Sequence, residues 1–144
     1  MIIKSVFENK KKIPNKYGLR FENKNPPLEI SGIPKGTKTL AVIVDDPDAP
    51  RGDWVHWIIF NIQVLSDKLI IKENTSSDQQ GINDFGNTKY DGPAPPSGTH
   101  RYSFKAYALN SSLNLIKPTK QQLDESMQGK VLAKAELTGL FSRE

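Results

Sequence analysis

Residues 39–62 read TLAVIVDDPDAPRGDWVHWIIFNI and contain two strongly apolar runs. The runs at residues 39–44 and 55–62 are rich in β-branched and aromatic residues, which favours β-strands. Because neither run alternates between apolar and polar residues, we expect both strands to be covered on both faces. Such strands lie centrally in a sheet rather than at its edge.

Residues 101–109 predict a third strand. In this segment apolar side chains alternate cleanly with polar ones, which is typical of a half-exposed strand. The residues that share its apolar face are Tyr102, Phe104, Ala106 and Ala108. Residues 66–98 are rich in Asn, Asp, Ser, Gly and Pro, and a stretch of this kind in a compact domain is more often a functional loop than a simple connection.

The end of the chain predicts one helix and a last strand. Thr119 and Gln122 form a capping box, and Gly129 is a plausible stop for the helix that follows. Residues 136–141 predict a short final strand. The predicted fold class is therefore mainly β, with one or two short helices near the C-terminus.

The composition is that of a single folded domain. The chain has 144 residues, of which 36% are hydrophobic and 25% are charged, and it has no internal repeat or linker, so residues 1–144 are expected to form one domain. The absence of Cys excludes disulfides, thiol nucleophiles and thiolate metal sites. No window is apolar enough for a membrane span and the first residues do not resemble a secretory signal, so we expect a cytoplasmic protein.

The positive charge is concentrated in the first part of the chain. The whole chain has a net charge of +4, whereas residues 1–40 contain 9 basic and 3 acidic residues, a net charge of +6. Lysine accounts for 16 of the 20 basic residues and arginine for only 4. Recognition of bases and phosphates in nucleic acids favours arginine, so we expect a solvated lysine-rich surface and no nucleic-acid partner.

Polar residues with chemical potential lie at the ends of the predicted strands. His56 and His100 are the only histidines. Regular alternation would place His56 on the face of Trp54 and Ile58, opposite Val55, Trp57 and Ile59. Asp46 and Asp48 bracket a proline, and both carboxylates point the same way if the backbone stays extended there. Each feature alone also has a structural explanation, as a turn or as a histidine packed in the core.

Taken together, these residues predict a small polar pocket with imidazole donors. Tyr102 lies two residues beyond His100 and therefore on its face, and residues 93–98 form a rigid proline-rich loop. Known catalytic patterns fit poorly, because Ser97 is not in a G-x-S-x-G turn and no phosphate-binding glycine motif is present. The two histidines lack the helical spacing of zinc peptidases, so we expect no metal and no cofactor.

Three separated segments resemble the phosphatidylethanolamine-binding protein family, also called the Raf kinase inhibitor protein family. They are Asp46-Pro47-Asp48-Ala49-Pro50, Trp54-Val55-His56-Trp57 and the run from Gly92 to Tyr102, which reads GPAPPSGTHRY. Residues 83–86 and the tail from residue 129 to 139 look like the shorter bacterial and archaeal branch. The resemblance covers the chain and implies a central antiparallel sheet with a smaller second sheet.

The resemblance also implies an anion pocket and a function. The residues carried over as ligand-binding are Asp46, Asp48, His56, Pro95, Pro96, His100 and Tyr102, with Pro50 and Trp54 in the pocket wall. Two positions depart from the family pattern, since Ala94 replaces a frequent Cys and Asp91 a usual Gly. The implied function is non-enzymatic binding of a small anion or phospholipid headgroup such as phosphorylethanolamine, with regulation of a protein partner as a further output.

Other functions remain open from the sequence. One is inhibition of a kinase or serine protease through a protein interface, and another is hydrolysis with His56 or His100 as general base. A phosphate near either imidazole favours the imidazolium form, so we expect binding to strengthen as pH falls from 8 to 6. The apolar bulk of residues 54–62 predicts a homodimer, unless that bulk is ordinary sheet core.

Overall fold

The structure is a computed structural model that describes residues 1–143. They form eight strands, one α-helix and a 3-10 helix at Asn15–Tyr17. In chain order the strands and the α-helix are β1 (Ile2–Lys4), β2 (Lys11–Lys12), β3 (Leu28–Ser31), β4 (Thr39–Asp46), β5 (Trp54–Gln63), β6 (Lys68–Ile71), β7 (Thr99–Leu109), α1 (Lys120–Met127) and β8 (Val131–Ser142). The mainly β fold class is confirmed.

The strands form a larger and a smaller sheet. The larger sheet has the order β2-β8-β7-β4-β5, and the smaller has the order β1-β3-β6. Every named pair is antiparallel except the short β2–β8 pair, which is parallel. The predicted central antiparallel sheet with a smaller second sheet is therefore confirmed.

Strand β4 is central and buried on both faces. Leu40, Val42 and Val44 pack into one hydrophobic cluster, between the two sheets, while Ala41 and Ile43 pack into another with α1. All eight residues of β4 are buried, which explains why its sequence does not alternate.

Strand β5 is at the edge of the larger sheet, so the prediction that it lies centrally is wrong. A loop covers its outer edge instead: the Phe60 N–H donates to the Gln79 carbonyl at 3.0 Å, and the Gly81 N–H donates to the Ile58 carbonyl at 3.0 Å. This cover satisfies backbone groups that an edge strand would leave open. An apolar run therefore signals that a strand is covered, not what covers it.

The regular alternation predicted for β5 is also wrong, because His56 is in a β-bulge. Val44 of β4 pairs with Trp57, and the next residue, Asp45, pairs with Val55, so His56 has no partner in the register. As a result Val55 packs in the cluster of Ile58, whereas Trp57 packs in the opposite cluster. The bulge turns the imidazole toward the site described below.

The helix is confirmed and the final strand is longer than predicted. Thr119 and Gln122 form the capping box, and α1 ends at Met127, just before Gly129 with its positive φ of 76°. Strand β8 has 12 residues because it pairs with β7 along most of its length. No helix within residues 1–143 has the length and apolar character that a membrane crossing requires.

The apolar bulk of β5 is packed inside the protein. Trp57, Ile58, Ile59 and Phe60 are between 0 and 2% exposed, and only Trp54 shows a large apolar surface at 36%. The homodimer stays a prediction, but the exposed apolar patch that suggested it is absent from this strand.

Candidate functional site

A cavity of about 320 Å³ opens where the end of β4 meets the beginnings of β5 and β7. This volume is at the lower end of the range for small-molecule sites. Its lining residues are Asp46, Ala49, Pro50, Arg51, Trp54, His56, Phe85, Ala94, Pro96, His100 and Tyr102. Seven of the nine residues predicted from the sequence are among them, and Asp48 and Pro95 are not.

Asp46 and His100 form one side of the cavity as a buried pair. His100 Nδ1 lies 2.7 Å from Asp46 Oδ2, and the two residues are 8% and 3% exposed. Because a carboxylate accepts, Nδ1 carries the proton and Nε2 is the nitrogen left for a ligand. The two strands that bear these residues, β4 and β7, are neighbours in the sheet, which brings together positions 54 residues apart.

Asp48 is turned away from this pair, because the backbone does not stay extended through Pro47. The Asp48 N–H donates to Asp46 Oδ1 at 2.8 Å, which closes a turn of the kind that aspartate favours. The Asp48 carboxylate then accepts from Arg101 Nε at 2.9 Å and Nη2 at 2.7 Å. Arg101 lowers the pKa of Asp48 to about 2, so this carboxylate is ionised and engaged outside the cavity.

His56 forms the other side of the cavity and has a neutral partner. Its Nδ1 lies 2.7 Å from the carbonyl oxygen of Asp91, so Nδ1 donates and Nε2 is again left for a ligand. The ring packs edge-to-face on Tyr102 and Phe85, with centroid distances of 5.2 and 5.3 Å. Burial lowers the pKa of His56, which favours the neutral imidazole at pH 7.

Asp91 holds the backbone that orients His56. Its N–H donates to the His56 carbonyl at 3.1 Å, and its carboxylate accepts from Lys89 Nζ at 2.6 Å. The same carboxylate accepts from the side-chain amides of Asn23, Asn83 and Asn87. Burial opposes its ionisation, but these hydrogen bonds lower the pKa of Asp91. The sequence marked Asp91 as a departure from the family pattern, without indicating this role.

The Tyr102 hydroxyl is buried in the wall of the cavity and is not well satisfied there. The residue is 1% exposed, and its oxygen makes no well-aligned hydrogen bond within the described part of the chain, although Asp46 and the backbone of Ala94 lie close to it. Burial raises the pKa of Tyr102 above its usual value and the neighbouring Asp46 adds to this, so the phenol keeps its proton. A buried hydroxyl without a good hydrogen bond lowers the stability of the folded protein, and an acceptor atom of a bound ligand would supply that hydrogen bond.

Arg51 and Phe85 also line the cavity and were not predicted. Arg51 is exposed and brings a positive charge to the rim. Phe85 packs edge-to-face on Trp54 at 5.5 Å, and a hydrogen bond of 2.7 Å from the Val55 N–H to Asp84 ties its loop to β5. The position of Arg51 directly after the Asp-Pro segment was one available signal. Phe85 lies in residues 83–86, which the resemblance singled out without giving them a role in the pocket.

Comparisons with known proteins agree with this fold. The family model described as phosphatidylethanolamine-binding protein matches residues 3–142. A protein of Methanothermobacter thermautotrophicus named UPF0098 protein is 44% identical, over 96% of this chain and 95% of the relative. A protein of Chlamydia muridarum with the same name is 40% identical, over 96% of each chain.

Two solved structures share the fold over almost the whole chain. A phosphatidylethanolamine-binding protein homologue of Chlamydia trachomatis is 37% identical and superposes with a TM-score of 0.91, over 99% of this chain and 97% of the other. E. coli YbcL, described as a member of the mammalian PEBP family, is 26% identical with a TM-score of 0.87, over 99% and 98%. The chain belongs to the phosphatidylethanolamine-binding protein family.

Proposed function

We propose that this protein binds a small phosphorylated anion of the phosphorylethanolamine type, without turning it over. The observation that carries the proposal is the buried Tyr102 hydroxyl, which makes no well-aligned hydrogen bond within residues 1–143 and lies in the wall of a cavity lined by both histidines. Phosphate oxygens are acceptors of the kind that this hydroxyl and an imidazolium N–H require.

The protonation of His56 makes the proposed binding depend on pH. In the free protein burial favours its neutral form, whose Nε2 accepts but does not donate. A phosphate can bind there as a monoanion that donates its own proton, or as a dianion that holds the imidazolium form. In both cases the complex contains one proton more than the separated species, which are neutral His56 and the phosphate dianion. Binding therefore takes up a proton, and affinity increases as pH falls from 8 to 6.

Asp46 favours a ligand that also carries a positive group. Its carboxylate lines the cavity and would repel a bare phosphate, even though His100 occupies one of its oxygens. An ammonium group on the ligand removes part of that repulsion. We therefore expect phosphorylethanolamine to bind more tightly than inorganic phosphate.

Tyr102→Phe tests the proposal by removing the hydroxyl alone. A hydrogen bond to a charged acceptor contributes about 1.5–3 kcal/mol, so the affinity for phosphorylethanolamine should fall by about tenfold or more. Because the hydroxyl makes no well-aligned hydrogen bond within residues 1–143, the thermal midpoint should stay the same or rise. Isothermal titration calorimetry across pH 6–8 and thermal unfolding measure the two effects.

Tyr107→Phe is the matched control, since Tyr107 is on the same strand and outside the cavity lining. Its affinity should equal that of the wild type. Equal affinity in the Tyr102→Phe variant, an affinity that does not change with pH, or no binding at millimolar ligand would each overturn the proposal.

A further inference from the structure

The proline-rich loop separates the anion cavity from a second cavity. Pro96 faces the first cavity, whereas Pro93 and Pro95 line the second, which has a volume of about 210 Å³. We call this second cavity the arginine groove; its lining residues are Arg20, Phe21, Pro93, Ala94, Pro95, Phe141, Ser142 and Arg143. The sequence placed Pro95 in the anion pocket, and the structure places it in the groove instead.

The centre of the arginine groove is apolar. Phe21 and Phe141 pack edge-to-face at a centroid distance of 6.3 Å. Phe141 is buried, but Phe21 is 49% exposed, which is unusual for a side chain of this size. Phe21 therefore presents aromatic surface to solvent, while the buried side chains of Phe141, Pro93 and Pro95 form an apolar floor beneath it.

The walls of the groove are held by backbone contacts. The Leu19 N–H donates to the Pro93 carbonyl at 3.0 Å, and the Arg143 N–H donates to the Gly98 carbonyl at 2.9 Å. Gly18 lies directly beneath the rings, since a Cβ there would be 2.6 Å from Phe141 Cζ. Both arginine-bearing segments are thus tied to their surroundings, and a rigid site loses little entropy when it binds.

The groove carries two positive charges from arginine side chains. Arg20 and Arg143 are exposed, and neither guanidinium has an ion pair within residues 1–143. Among the residues that the structure describes, those that line the groove include no Asp or Glu. Arg101, by contrast, is paired with Asp48. Exposed guanidinium groups beside an apolar surface are suited to carboxylates that flank an apolar side chain.

We propose that the arginine groove binds an acidic peptide segment of a protein partner, with one large apolar side chain seated between Phe21 and Pro95. A volume of about 210 Å³ is below the usual range for drug-sized ligands, and one side chain suits it better. Carboxylates on either side of that side chain then reach the two arginines. This surface is distinct from the anion cavity, so it provides a protein contact in addition to the proposed headgroup site.

A defined peptide tests the groove. The probe is acetyl-Glu-Asp-Phe-Asp-Glu-amide, titrated into the full chain labelled with ¹⁵N. We expect amide shifts at Phe21, Ser142 and Arg143 and none at His56 or His100. The double variant Arg20→Gln/Arg143→Gln should weaken binding at least tenfold, whereas Lys35→Gln/Lys38→Gln, which removes two exposed charges that line neither cavity, should bind within twofold of wild type.

Further probes separate the alternatives. A peptide with Ala in place of Phe, or with Lys in place of its four acidic residues, should lose most of the affinity. Benzoate that binds as tightly as the peptide would show a small-molecule site, and concentration-dependent shifts of the same amides without peptide would show a second copy of the chain; either result overturns the proposal. So does a lack of shifts at millimolar peptide.

The two proposals can fail separately. Phosphorylethanolamine added to the same sample reports on His56 and His100, so loss of peptide binding with retained headgroup binding refutes only the groove. Folding of each variant is checked by its thermal midpoint, which should be close to that of the wild type because both arginines are exposed.

Discussion

His56 and His100 reach the same cavity from regions of the molecule that hold them in different ways. His100 is on the regular strand β7, and its Nδ1 donates to the carboxylate of Asp46. His56 is in a bulge of the edge strand β5, and its Nδ1 donates to the backbone carbonyl of Asp91. The His100 ring is thus held by a carboxylate on a neighbouring strand, whereas the His56 ring is held by a backbone carbonyl in a loop.

Because of this difference, the charge of the site and the orientation of its second histidine depend on different parts of the molecule. The pair of His100 and Asp46 is positioned by the pairing of β4 with β7 within the larger sheet. The orientation of His56 depends on the amide and lysine contacts that hold Asp91. We therefore expect changes in the loop to affect His56 selectively, and changes at β4 to affect the charge of the site.

The largest effect should come from Gly92→Ala. A Cβ on Gly92 would lie 1.9 Å from the carbonyl oxygen of Tyr17, so the backbone beside Asp91 has to move. We expect a loss of more than about 2 kcal/mol in the free energy of unfolding, and a larger NMR shift for the His56 ring than for His100. Urea unfolding and the histidine resonances measure these effects.

Gly129→Ala is the comparison for that variant. No atom lies within 4 Å of a Cβ added to Gly129, and only its φ of 76° opposes alanine. We therefore expect the free energy of unfolding to fall by about 1 kcal/mol. Equal losses in the two variants would contradict the close-contact explanation.

His56→Gln should remove a pH effect on stability. Burial lowers the pKa of His56 in the folded protein below the value of about 6.5 that it has when unfolded. The unfolded chain then binds more protons, so this residue's contribution is present above pH 6.5 and is lost as pH falls through the folded pKa. The wild-type thermal midpoint should fall more than that of the variant between about pH 7.5 and 5.5.

Differential scanning calorimetry over that range measures the two slopes. Tyr102→Phe keeps His56 and should retain the wild-type slope. Parallel curves for wild type and His56→Gln would mean that burial does not keep this imidazole neutral.

Asp46→Asn should change the relative affinity of the cavity for phosphorylethanolamine and inorganic phosphate. Without the carboxylate, the preference for phosphorylethanolamine over inorganic phosphate should shrink by about tenfold, because the ammonium group loses a charged neighbour. Calorimetric titration of both ligands gives the ratio. The control is Asp53→Asn, which changes an exposed carboxylate outside the cavity lining and should leave the ratio of the two affinities unchanged. An unchanged ratio in Asp46→Asn would exclude a contact between Asp46 and the amine of the ligand.

The smallest effect should come from Asp48→Asn. Its carboxylate is engaged by Arg101 outside the cavity, so phosphorylethanolamine affinity should stay within about twofold of wild type. The folded pKa of about 2 lies below the unfolded value, so any stability from this pair is present above pH 4 and is lost as pH falls through 2. A tenfold loss of affinity in Asp48→Asn would mean that Asp48 contributes to ligand binding after all.

Much of the fold could be predicted from the sequence because its signals are local. The apolar run of β4, the alternation of β7 and the capping box of Thr119 each depend on residues within a few positions of one another. The short N-terminal strands were not predicted, because β1 and β2 have two or three residues and exist only through their partners β3 and β8.

The sequence by itself determined which chemical groups the protein has, and the tertiary structure decided which of them meet. Two imidazoles, an aspartate at a strand end and a tyrosine two residues beyond His100 could be named from their order in the chain. That Asp48 turns to Arg101, that Pro95 and Pro96 face different cavities, and that Phe85 joins His56 could not. These placements depend on the bulge between β4 and β5 and on hydrogen bonds between positions far apart in the chain, such as the 53 residues that separate Asp48 from Arg101, and no local pattern encodes them.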